Sequence, residues 1–181
     1  MTIPFRFEML DVTDPAAVDQ YERAFFTAFQ RATRNRLVRN LWRWDEENRR
    51  LATRVPYDEQ LVWVLRDRAG AVESGMAFNI AMQQLQSAAF GFAPPVPAVG
   101  AFEVLTFFSV TNRDFRCKLE FWSRGAKHAR ARGFHTAYAT TAQRPLRSYL
   151  RIGWELQAET EVESERRYFL RYDLDRLMTN G

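Results

Sequence analysis

The sequence predicts an α+β domain: a mixed, largely antiparallel sheet of about seven strands flanked by about four helices, with a central βαβ crossover. Three observations point there. Apolar runs of strand length recur along the chain, at 5–9, 60–66, 72–82, 102–110, 134–141, 154–163 and 167–174. Segments with helical spacing separate several of them. The run FEVLTFFSV at 102–110 shows almost no polar alternation, so it reads as a strand buried on both faces, with a helix and another strand after it.

Taken in order, Phe5, Phe7 and Met9 alternate with polar residues and form the first strand. Asp14 and Pro15 are a cap and first-turn pair, and Val18, Tyr21, Phe25 and Phe29 continue at helical spacing, so a helix is expected over 15–32. A second helix is expected over 35–52, with Leu37, Val38, Leu41, Trp42 and Leu51 as its apolar side, ended by Val55-Pro56. DRAG at 67–70 turns the strand 60–66 into the strand 72–82. Residues 83–100 contain FGFAPPVPAVG, whose Pro and Gly density predicts an ordered loop. After the central strand, Phe115, Leu119, Trp122, Ala126 and Ala129 form a helical stripe stopped by Gly133. Pro145 opens a short helix to about Ile152, Gly153 closes it, and two strands joined through ESER finish the chain.

With 181 residues, 46% hydrophobic and 14% aromatic, a single domain over 1–181 with one core is expected. No apolar run reaches the roughly 18 residues of a membrane span, and the N-terminus lacks a secretion-type pattern, so a cytoplasmic protein is expected. Cys117 is the one cysteine and cannot form an internal disulfide. The charge is +4, and its distribution says more than its size. Arg113, Arg116, Lys118, Arg124, Lys127, Arg130 and Arg132 face only Asp114 and Glu120 in one stretch, which predicts a local anion site. Nucleic acid is a weaker reading: the basic and aromatic run NRLVRNLWRWDEENRR is interrupted by DEEN and is explained by a helix with solvated charges. No GxSxG, P-loop, GxGxxG or HExxH pattern occurs, and His128 and His135 have no metal-like spacing.

The element order, the run Tyr149-Leu150-Arg151-Ile152-Gly153-Trp154 and Glu103 at the start of the central strand together resemble the GCN5-related N-acetyltransferase (GNAT) superfamily. Family members often end their last short helix with a tyrosine, three residues and Gly-Phe; here Trp154 replaces the Phe. The resemblance implies an acyl-CoA-dependent N-acyltransferase that moves an acetyl or longer acyl group to a small-molecule or peptide amine. It makes Tyr149 the candidate acid for the departing thiolate and Glu103 the candidate base. The cofactor, acetyl-CoA or a longer acyl-CoA, would meet Val110, Thr111, Asn112, Arg113, Arg116, Cys117, Lys118 and Leu119. This loop is degenerate: Asp114, Cys117 and Leu119 stand where the family has Gln or Arg and then small residues that let N–H groups close on a pyrophosphate.

Two alternatives therefore stay open. The acyl group could arrive on an acyl carrier protein, or the chain could be a GNAT-shaped binding protein without catalysis. Tyr149 could also pack the sheet with its hydroxyl satisfied, Glu103 could be a strand-end carboxylate, and Cys117 could be a small buried residue. Phe90, Phe92 and the prolines of the 83–100 loop suggest an apolar acceptor or a long acyl chain, or else a lid over the core or a homodimer contact.

Overall fold

The computed structural model describes residues 5–32, 36–95, 98–111 and 115–179. Its main sheet has seven strands in the order β1-β4-β5-β6-β7-β9-β8, and a two-stranded hairpin, β2-β3, stands apart from it. In chain order the elements are β1 (Arg6–Met9), α1 (Pro15–Phe29), α2 (Arg36–Leu41), β2 (Arg43–Asp45), β3 (Arg50–Ala52), β4 (Gln60–Arg66), β5 (Val72–Asn79) and β6 (Ala101–Ser109). Then follow α3 (Phe115–Ala131), β7 (Thr136–Ala142), α4 (Gln143–Ile152), β8 (Glu155–Val162), β9 (Glu165–Asp173) and α5 (Arg176–Thr179). The expected α+β class with a central parallel crossover, β6-α3-β7, is observed. β1/β4, β7/β9 and β8/β9 pair antiparallel.

The chain divides into two compact units, Met1–Phe78 with Leu105–Asp114, and Asn79–Val104 with Phe115–Gly181. In the first unit α1 starts where the sequence says: the Ala16 N–H donates to the Asp14 carboxylate at 2.9 Å, and Pro15 fills the first turn. Its buried face, Tyr21, Phe25 and Phe26, packs into a core with Trp42, Leu51, Val62, Val64 and Phe108. Phe25 stacks on Phe108 at 5.1 Å and meets the edge of Trp42 at 4.9 Å. Gly75 on β5 makes this close packing possible, since a Cβ there would come within 2.4 Å of the Phe108 ring and 2.7 Å of Tyr21.

The helix expected over 35–52 stops at Leu41, and residues 43–52 form the β2-β3 hairpin instead. Local turn chemistry explains the change. The Asp45 carboxylate accepts the Asn48 N–H at 3.0 Å, the Arg49 N–H reaches the Glu46 carbonyl, and Arg49 takes a positive φ of 55°. Trp42 and Leu51 are buried from either side of this hairpin, so their spacing imitates a helical stripe.

In the second unit one face of the sheet carries Tyr138, stacked on Phe169 at 5.4 Å, and Phe92, stacked on the same ring at 5.4 Å. Phe90 lies under the Arg167 guanidinium at 5.3 Å. The loop aromatics that suggested an apolar ligand are thus taken up by the protein's own core, at 5% exposure for Phe90 and 7% for Phe92. On the other face Trp122, Trp154 and Tyr172 form a ring cluster with centroids 5.0 to 5.5 Å apart.

Candidate functional site

Tyr149 sits in the last turn of α4, and a helix cap explains its spacing from Gly153. Gly153 has φ 103°, its N–H donates to the Leu150 carbonyl, and the Trp154 N–H donates to the Tyr149 carbonyl. The chain then places Trp154 against the Tyr149 ring, edge-on at 5.5 Å. The Tyr149 hydroxyl has no hydrogen-bond partner among the described residues, and burial pushes its pKa up to about 12. Tyr149 is half-buried and no residue of α4 is fully buried, and Arg151 leaves the helix to lie 4.4 Å above the Phe115 ring in the first turn of α3.

Glu103 is 1% exposed on β6. Its two carboxylate oxygens accept the Gln86 N–H at 2.8 Å and the Ser87 N–H at 2.7 Å. The acid therefore anchors the turn that carries Phe90. Burial raises its pKa, while the two backbone donors and the Asn79 amide oppose the rise. Asn79, fully buried, fixes the same loop further upstream: its amide donates to the Gln84 carbonyl at 2.8 Å and its carbonyl accepts the Met82 N–H at 3.1 Å.

The residues expected to hold a cofactor fall into two groups. Arg116, Cys117, Lys118 and Leu119 occupy the first turns of α3 in the second unit. Arg116 and Leu119 are exposed there, Cys117 and Lys118 are half-buried, and the Cys117 thiol is in no disulfide. Neither Arg116 nor Lys118 makes an ion pair among the described residues. Val110 and Thr111 follow β6 in the first unit. Asn112 and Arg113 lie outside the described residues, as does Asp114. The parallel register of β6 with β7 runs from Ala101↔Thr136 to Val104↔Ala139, whereas β6 continues to Ser109.

Glu73 escaped the sequence reading. The Val110 N–H donates to its carbonyl at 2.8 Å, and the Thr111 N–H and hydroxyl both donate to its carboxylate. In sequence it is one polar residue in an alternating strand, and only the approach of β5 to the end of β6 gives it a role. His135 is exposed, with its N–H on the Gly100 carbonyl. Among the described residues no three His, Cys, Asp or Glu side chains gather as metal ligands, and no helix is long and apolar enough to cross a membrane.

No family model and no curated protein matches the sequence. Solved structures do. The AHL synthase LasI is similar over 94% of this chain and 89% of its own, with a TM-score of 0.70 at 14% identity. The CoA-dependent acyl-homoserine lactone synthase BjaI, with SAM and isopentyl-CoA, is similar over 97% of this chain and 88% of its own, with a TM-score of 0.69 at 15% identity. A probable acetyltransferase from Staphylococcus epidermidis ATCC 12228 is similar over 94% of this chain and 99% of its own, with a TM-score of 0.62 at 12% identity. The fold is therefore GNAT-like.

Proposed function

We propose that the protein transfers an acyl group from a thioester, acetyl-CoA or a longer acyl-CoA, to the amine of a small acceptor. The observation that carries this reading is the fold, which is shared with acyl-homoserine lactone synthases and an acetyltransferase. The structure of BjaI contains isopentyl-CoA, which supports a CoA-borne donor. A carrier-protein-borne donor fits the same chemistry.

Tyr149 is the proposed acid. With its pKa at about 12 it stays protonated at neutral pH, as a proton donor must. Handing that proton to a free thiolate of pKa near 8.5 would run uphill by roughly 5 kcal/mol. Transfer must therefore accompany C–S cleavage, with the proton that the amine loses passing to the Tyr149 oxygen, so that the C–S bond breaks as the C–N bond is made and no tyrosinate accumulates. Glu103 is the weaker candidate for the base, because both its oxygens already hold backbone N–H groups.

A second reading, a GNAT-shaped binding protein without turnover, is favoured by Cys117 and Leu119 in the cofactor loop. Titration separates the two. A donor present at 100 times its Kd should add about 2.7 kcal/mol of stability, and thiol should be released when an amine is supplied. If CoA, acetyl-CoA and longer acyl-CoAs neither raise the melting temperature nor yield free thiol with any amine tested, the transferase reading is wrong.

A further inference from the structure

Tyr149 is held at its backbone and left unbonded at the far end of its ring. The Trp154 N–H donates to its carbonyl at 3.2 Å, and Gly153 caps the helix with a φ of 103°. The hydroxyl bonds to none of the described residues, so no hydrogen bond sets the direction in which it points. α4 has no fully buried residue to anchor it from within.

The ring that meets Tyr149 is Trp154, edge-on, with centroids 5.5 Å apart and planes at 78°. Trp154 is itself boxed in. It is 4% exposed and packs on Trp122 at 5.0 Å and on Tyr172 at 5.4 Å, and those two rings meet each other at 5.5 Å. All four residues belong to the second unit. A block of three packed rings thus fixes one side of a tyrosine whose oxygen is tied to nothing, and the packing of the ring decides where its proton is carried. Placement matters for such a transfer, since a displacement of about 1 Å can cost about 100-fold in rate.

We propose that Trp154 is a positioning residue for acyl transfer: its ring, wedged against Trp122 and Tyr172, aims the Tyr149 hydroxyl at the departing thiolate. This rests on the proposed reading that Tyr149 is the acid. As the C–S bond breaks, the sulfur takes the hydroxyl proton and the Tyr149 oxygen takes the proton that the amine loses. Trp154 acts through Tyr149 and so governs turnover, not donor affinity.

The test places Trp154→Met, Trp154→Leu and Trp154→Phe in the full-length wild type and in Tyr149→Phe, with melting curves to confirm folding. Thiol release is followed with acetyl-CoA and hexanoyl-CoA as donors and ethanolamine, benzylamine and a lysine peptide as acceptors. Crystal structures of the single variants locate the Tyr149 ring. Trp154→Met, which fills the space with a flexible chain, should let the ring turn and lower kcat about 10–100-fold with the donor's KM unchanged. Trp154→Leu carries the same comparison if Trp154→Met does not fold, and Trp154→Phe, which returns an aromatic edge, should recover most of the loss. In the Tyr149→Phe background none of the three should lower the rate further, because residues acting as a unit are not additive. A Tyr149 ring that stays in place without the tryptophan overturns the positioning role and leaves the transferase reading intact. Equal losses in both backgrounds overturn it too, since they would report general damage to the fold. A ring that moves with kcat unchanged overturns the acid role of Tyr149 and the positioning role with it. No thiol release by the wild type from either donor overturns the transferase reading, whatever the ring does.

Discussion

Glu103→Gln should match the wild type in stability near pH 4 and exceed it near pH 8. At low pH the carboxyl is protonated and, like the amide of Gln, keeps one carbonyl oxygen as full acceptor for the two N–H groups of Gln86 and Ser87. As pH rises the wild type ionises. The charged form has two acceptors but sits at 1% exposure, and burial outweighs the hydrogen bonds, so the folded pKa lies above the ordinary 4.5. For a carboxyl raised in this way the native state binds the extra proton. Its stability contribution is complete below the unfolded pKa and is lost as pH climbs through the folded one. Gln has no such loss.

Each pH unit crossed between the two titrations removes about 1.4 kcal/mol from the wild type, or about 3–6 °C in melting temperature for a chain of this size. Urea unfolding of both proteins between about pH 4 and 8 measures the gap directly. Glu103→Ala provides the reference. It leaves both N–H groups without their acceptor, so it should fall below Glu103→Gln by about 1–3 kcal/mol, equally at both pH values because neither side chain ionises. The reasoning is refuted if the gap runs the other way, with Glu103→Gln losing ground to the wild type as pH rises. The two backbone donors would then dominate over burial.

Tyr149→Phe should leave the melting temperature within about 1 °C, since the hydroxyl bonds to none of the described residues, yet lower acyl transfer about 100-fold if the hydroxyl is the acid; steady-state thiol release reads this out. The pKa of about 12 also implies no falling limb from Tyr149 below about pH 10 in the rate profile, and a tyrosine-dependent limb near neutral pH would contradict it. Gly75→Ala should destabilise by about 1–3 kcal/mol, because its Cβ meets two packed rings. That exceeds the 0.4–1 kcal/mol that Ala usually gains over Gly through the unfolded chain. Urea unfolding decides the sign, and combining it with Phe108→Leu should recover part of the loss.

What the sequence made legible divides by the range of the interactions involved. β4 coincides with the apolar run 60–66, and the Tyr149 to Gly153 spacing is a helix cap whose every bond lies within five residues of chain. Such features are written locally. The helix expected over 35–52 is the exception among local features: Trp42 and Leu51 satisfy a helical stripe and a hairpin equally well, and the deciding groups, the Asp45 carboxylate and the Asn48 N–H it binds, lie only three residues apart.

The acids Glu73 and Glu103 mark the limit for the candidate site. A buried carboxylate is visible in sequence only as an oddity in an apolar strand, because its partners are distant in the chain and mostly backbone N–H groups, of Thr111 (with its hydroxyl) for one and of Gln86 and Ser87 for the other. Those donors carry no residue-type signal. Each acid holds two donors of the chain on its carboxylate, about half of its acceptor capacity. The proposed transferase chemistry therefore leans mainly on the Tyr149 hydroxyl, which bonds to none of the described residues.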